Sequence, residues 1–203
     1  MTKPSALWHL SPQESLIRTQ PVPSIGDGQC RIEASYSLIS SGTETLVASG
    51  QVPAELHHSM QVPYMDGDFS LPVKYGYSLV GKVVEGSQSL LGKYVHLLHP
   101  HQSDCVVNEK DVTVIPKGIP PERAVLASNL ETALNAIWDS GLSAGDRVLV
   151  VGMGLVGSLV AHFSRQFPAT QVQVAENNSV RQTLVNKQGF QLHNPPDTPF
   201  DVA

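Results

Sequence analysis

Between Arg147-Val-Leu-Val-Val151 and an apolar stretch that opens at Leu155 sits Gly152-Met-Gly154-Leu-Val-Gly157, three glycines at the spacing GxGxxG. In a strand-turn-helix setting each glycine has its own physical task. Gly152 permits a tight turn, Gly154 lets main chain approach a diphosphate, and Gly157 lets the helix lie close on the strand. The phosphate charge then meets the unsatisfied N–H groups and the positive dipole end of the helix. Glu176 lies 19 residues past Gly157, at the end of the next apolar run, where a carboxylate can accept hydrogen bonds from ribose hydroxyls. The same carboxylate repels a 2′-phosphate, which favours NAD(H) over NADP(H). The residues expected around such a cofactor are Gly152, Gly154, Leu155, Val156, Gly157, Glu176, Asn177 and Arg181. The plain alternative makes Glu176 a solvated turn acid ahead of Asn177 and Asn178. A methyltransferase loop more often reads GxGxG, and here the fifth position is Val156.

Metal binding is the other chemistry that the residue types allow. His99 and His101 are two apart and would share a strand face with Cys105 nearby, whereas His57 and His58 are adjacent and face differently. No His-x3-His helix spacing supports a site, so a polar turn at a strand end is preferred and no metal ligand is assigned. His101 is expected instead to present a hydrogen-bonding group to a cleft.

Elements must hold these residues in place. Leu130, Ala133, Leu134, Ile137 and Trp138 fall at helical spacing and end before Gly141. Arg147–Val151 then reads as a strand buried on both faces of a parallel sheet. A helix from Leu155 puts Leu155, Val156, Leu159, Val160 and Phe163 on one side. Gln171–Ala175 is a second strand, Ser179–Gln188 a helix closed by Gly189, and Phe200–Ala203 the start of a third strand. The first 120 residues or so are β-rich. Gln29–Ile39 alternates with Ile32, Ala34, Tyr36 and Leu38 on one face, and short apolar runs follow at 79–84, 94–98, 105–107 and 112–115. Gly50–Leu71 reads as a long polar, proline-containing loop facing substrate. The pattern therefore divides into a domain over 1–120 and a second over 121–203.

Composition restricts the class. Hydrophobic residues make up 41% and charged residues 15% of 203, an ordinary globular balance. A net charge of -5 without a Lys/Arg run argues against nucleic acid as a partner. Two cysteines, Cys30 and Cys105, suggest a reducing compartment rather than a disulfide framework. The first 20 residues lack the pattern of a secretory leader, and no run of about 18 apolar residues occurs. A cytoplasmic protein with no membrane contact is expected.

Several strings in the right order resemble the medium-chain dehydrogenase/reductase superfamily, the alcohol-dehydrogenase-like enzymes. They are Ser40-Ser-Gly-Thr-Glu44, Pro72-Val-Lys-Tyr-Gly-Tyr-Ser-Leu-Val-Gly81, Gly92-Lys-Tyr-Val95, Asn129-Leu-Glu-Thr-Ala133 and Gly145-Asp-Arg-Val-Leu-Val-Val-Gly-Met-Gly154. The resemblance implies an α/β chain, with a GroES-like β-rich barrel domain followed by the first part of a Rossmann doubly wound parallel sheet. The sheet is truncated, because the second βαβαβ half is missing after Ala203. It also implies a small-molecule substrate, possible homo-oligomers of the full-length protein, and a chain of 203 residues that is inactive or unstable by itself.

Zinc-dependent members carry metal ligands at positions that are Ser41, Tyr77 and Ser128 here, and Ser78 replaces the Glu beside the metal. These side chains are poor zinc donors, so the resemblance is to a zinc-ligand-poor branch. The proton-relay position of the family is Thr43. Without zinc, hydrogen-bond donors must stabilise developing alkoxide charge. Thr43 and Tyr77 are the candidates, Glu44 anchors the loop or orients Thr43, and His101 faces the cleft. The expected activity is NAD(H)-dependent oxidation or reduction of an alcohol or carbonyl. Its rivals are an NADPH-dependent quinone or enoyl reductase and a non-catalytic dinucleotide-binding protein.

Overall fold

A computed structural model gives the structure, which describes residues 3–194 and 199–203. The chain divides into two compact units, Met1–Ala127 and Ser128–Ala203.

In the first unit Ser5–Ser11 (β1) and Glu14–Thr19 (β2) form an antiparallel hairpin that the periodicity does not announce. Gln29–Ser37 (β3), the helix Thr43–Ala48 (α1) and the short strands Asp66–Gly67 (β4) and Val73–Lys74 (β5) follow. Leu79–Glu85 (β6), Tyr94–Leu97 (β7), Asp104–Asn108 (β8) and Thr113–Val114 (β9) occupy the four apolar runs read from the sequence. They make two antiparallel sheets, ordered β2-β1-β5-β4 and β8-β3-β6-β7-β9. Pro121–Ala124 (α2) packs on β3 and β6. The helical pattern after Pro120 thus starts inside the first unit, and the division by packing comes after Ala127.

The barrel core consists of Cys30, Ile32, Leu79, Val83, Val95, Leu97, Cys105 and Val107. Alternation along β3 delivers Cys30 and Ile32 inward but fails further on. The ladder shifts register between Ala34 and Tyr36, leaving Tyr36 45% exposed rather than inward. Arg31 on β3 donates from Nε and Nη2 to Asp104 on β8 at 2.8 and 3.0 Å, a bidentate pair across neighbouring strands. A second cluster contains Val47, Val52, Phe69, Val73 and Tyr75, with Met60 and Met65 packed against it. The segment Gly50–Leu71 is therefore not an open polar loop. It carries a 3-10 turn at Ala54–Leu56, buries Val52 and Phe69, and accepts the Tyr75 hydroxyl at Met60 O, 2.9 Å away.

Ala127–Ser140 (α3) starts at the last residue of the first unit and leads into the second, which continues with Arg147–Val151 (β10), Leu155–Ser164 (α4), Gln171–Ala175 (β11), Ser179–Lys187 (α5) and Gln191–Leu192 (β12). β10, β11 and β12 are parallel neighbours in that order. Val202 bridges Val148 in parallel on the other side of β10, and Leu149 N donates to Val202 O at 2.9 Å. The third strand is thus β12, and the expectation that Phe200–Ala203 begins it is corrected. That last segment returns across the sheet to lie beside the first strand, so the strand order reverses at β10.

Two burial expectations are also corrected. Val148 and Val150 are buried but Val151 is 75% exposed, so β10 is not covered on both faces along its length. On α4 the buried residues are Ala161 and Ser164, while Leu155 is exposed. A Cβ added at Gly157 would stand 2.0 Å from Gly152 O. The helix lies so near the strand that Gly157, Ala161 and Ser164, at i, i+4 and i+7, form the contact face in place of the larger apolar stripe. In α3, Ala133 and Ile137 are buried, and Trp138, one position around the helix, is exposed.

Candidate functional site

The glycine turn links β10 to α4, at the point where the strand order reverses. Open parallel sheets take ligands there, beyond the carboxyl ends of the strands. Gly152 has φ 94°, a left-handed conformation that strains any residue with a Cβ. A Cβ at Gly154 would meet nothing within 4 Å, so the space before the turn is open to an approaching ligand. No side chain caps the first N–H groups of α4. The next helix is different, since Asn178 Oδ1 accepts from Val180 N and Arg181 N at 3.0 and 3.1 Å. The first N–H groups of α4 are thus left without a side-chain acceptor. A cavity of about 530 Å³ within this unit is lined by Val151, Gly152, Gly154, Val156, Gly157 and Val202 among others.

Glu176 follows β11, and its side chain is nearly covered, at 3% exposure. Its Oε1 accepts from Asn178 N and its Oε2 from Met153 N, each at 2.8 Å. These donors, Asn178 first, hold the carboxyl below its ordinary range. The plain reading of a solvated turn acid therefore does not describe Glu176, which ties the glycine turn to the start of α5. Arg181 Nη1 stands 4.0 Å from Oε2. Asn177 is exposed beside it, and Leu155 and Val156 form the first turn of α4.

The first unit holds a polar cluster. Glu44, the second residue of α1, is buried, and its Oε1 accepts from Ser40 N at 2.8 Å. Its Oε2 is paired with His101 Nε2, and His101 Nδ1 with Ser37 Oγ. A carboxylate only accepts, so Nε2 donates to Glu44, while Nδ1 pairs with the Ser37 hydroxyl. Gly76, with φ 138°, makes room for the ring, because a Cβ there would stand 2.9 Å from Nε2. Nearby, His9 Nδ1 contacts Ser15 Oγ at 2.7 Å, and Lys74 Nζ donates to Gln102 Oε1 at 3.2 Å. Burial lowers the pKa of both His9 and Lys74. Thr43 opens α1 half-buried, next in sequence to Glu44. Tyr77 is half-buried with its ring edge-on to Tyr75, centroids 6.4 Å apart. Glu44 and His101 are thus brought together. Ser37, His9 and Lys74 are polar neighbours that sequence reasoning missed, and no local spacing links positions 37, 44 and 101.

Ser78, at the family's glutamate position, is buried and donates to Val125 O at 2.5 Å, while Ser41 is exposed. Among the described residues no group of three His, Cys, Asp or Glu could hold a metal ion. Cys105 faces the barrel core, where burial pushes its thiol up to about 12. His99 Nδ1 donates to Pro100 O at 2.8 Å, and burial pushes its pKa down to about 4. Among the described residues no helix is long and apolar enough to cross a membrane.

No family model matches the chain. It is 30% identical over 97 residues to 2-dehydro-3-deoxy-L-galactonate 5-dehydrogenase of Pseudoalteromonas atlantica, a match covering 48% of this chain and 28% of that protein. Among solved structures it is similar to the quinone oxidoreductase from Coxiella burnetii, with TM-score 0.74 at 20% identity over 98% of this chain and 67% of that one. It is also similar to an alcohol dehydrogenase from E. coli complexed with NADH, with TM-score 0.75 at 16% identity over 97% of this chain and 64% of that one. The chain thus spans about a quarter of the curated relative and about two thirds of the solved structures. These likenesses show the fold, a GroES-like β-rich unit followed by a Rossmann-type parallel sheet.

Proposed function

We infer that this chain belongs to an NAD(H)-dependent oxidoreductase acting on an alcohol or carbonyl without a family-type catalytic zinc. The observation that carries the reading is the open glycine turn at the reversal of strand order, with Glu176 held against it. Bound NAD(H) would supply or accept the hydride. The chain's own part is to bind and to manage one proton. The open main chain at Gly152 and Gly154 and the uncapped first turn of Leu155, Val156 and Gly157 receive the diphosphate. Glu176 takes the ribose hydroxyls, with Asn177 and Arg181 at its side. Thr43 and Tyr77 offer hydroxyls to the substrate oxygen, while Glu44 fixes the loop through Ser40 N and holds His101.

Likeness to a quinone oxidoreductase and the proximity of Arg181 to Glu176 favour one second reading, an NADPH-linked reductase. Comparing NADH and NADPH binding separates the two. A preference for NADH that Glu176→Gln reduces supports the first reading. A preference for NADPH in the unaltered chain replaces it with the second. Nucleotide binding by the full-length protein without hydride transfer across a broad panel of alcohols and aldehydes would make it a binding module.

A further inference from the structure

The hydrogen-bonded series Ser37, His101, Glu44 has the parts of a nucleophilic hydrolase site, separate from the dinucleotide turn. Ser37 is exposed at the end of β3, on the wall of a cavity of about 340 Å³. His101 and Glu44 behind it are buried. The carboxylate fixes the imidazole tautomer, because both of its oxygens accept, Oε1 from Ser40 N and Oε2 from His101 Nε2. The other ring nitrogen, Nδ1, faces the serine hydroxyl. The two ring nitrogens exchange roles with the tautomer, so Nδ1 serves as base here as well as Nε2 would.

The cavity walls indicate the substrate class. Ile17, Tyr36 and Ile39 are exposed and line it together with Leu7, which suits an apolar acyl group. Ser103 also lines it, its Oγ accepting from Ser5 N at 2.9 Å, and a hydroxyl is a donor type that an oxyanion can use. No acidic side chain is among the lining residues.

The geometry points to an esterase site at Ser37 for small, uncharged esters with an apolar acyl chain. Ser37 Oγ bonds to the acyl carbon as its proton passes to His101 Nδ1. The ester C–O bond breaks as that proton passes on to the departing alcohol. Water then adds to the acyl-serine, giving a proton to Nδ1, and releases the carboxylic acid and the free serine hydroxyl with the proton returned.

The test treats the chain with a fluorophosphonate and follows p-nitrophenyl butyrate hydrolysis. The expected result is one label per chain on the peptide containing Ser37, with hydrolysis falling by at least about 100-fold in Ser37→Ala and in Glu44→Gln. Exposure of Ser37 makes Ser37→Ala compatible with the fold, and its circular dichroism should match the parent, with melting somewhat lowered because buried His101 Nδ1 loses its partner. Ser37→Cys should transfer reactivity to iodoacetamide. No label on Ser37, or equal hydrolysis by Ser37→Ala, overturns the proposal and leaves the series a structural tie between β3, α1 and the 101 segment. The assay contains no dinucleotide, so its outcome is independent of the oxidoreductase reading.

Discussion

At the scale of single residues, types and spacing disclose main-chain chemistry better than side-chain chemistry. Gly152, Gly154 and Gly157 were legible because each relieves a local steric demand, and the structure gives each a distinct geometry. Glu176 was legible by its distance from the turn, but its grip on Met153 N was not, since that depends on β10 and β11 lying side by side. Ser37 was invisible, because what distinguishes it is a partner 64 residues away.

Burial also makes His99 a source of acid sensitivity. Its folded pKa of about 4 lies below the ordinary 6.5, so the unfolded chain binds more protons between those values. Stability is therefore full above about pH 6.5 and falls as pH drops toward 4, by up to about 3 kcal/mol at the lower end. Urea midpoints measured from pH 7 to 4 should show this slope, and it should flatten in His99→Phe. An unchanged slope would assign the sensitivity to other groups.

At the scale of elements, existence and type were more legible than the faces presented. Every strand read from an apolar run in the first unit is present, yet the β1–β2 hairpin went unseen because its inward residues, Ala6 and His9, make no apolar alternation. In α4 the large apolar residues suggested the wrong contact face. Close approach to β10 selects small side chains, a constraint set by the partner strand. Gly157→Ala should therefore cost about 1–3 kcal/mol, read as a lower urea midpoint at unchanged slope, because its methyl would overlap Gly152 O. A change under about 0.5 kcal/mol would show that the helix can move away from the strand freely.

At the scale of the whole molecule, the two-unit plan followed from a change of period near Pro120, but the topology of the second unit did not. A run such as Phe200–Ala203 carries no mark of which sheet edge it joins. Its place beside β10 is fixed by long-range hydrogen bonds to Arg147 and Leu149. That placement sets the reversal of strand order at the tip of β10, on which the proposed dinucleotide site rests. Calorimetric titration of NADH into the chain and into Gly154→Val tests this most directly. Gly154 has an ordinary backbone conformation with open space at its Cβ, so the variant should fold, at a cost of about 1 kcal/mol for replacing an N-cap glycine by valine. Saturable one-to-one heat in the parent, with affinity at least about 10-fold weaker in Gly154→Val, is the expected result. No heat in the parent, or equal affinity in both, would contradict a dinucleotide site at this turn.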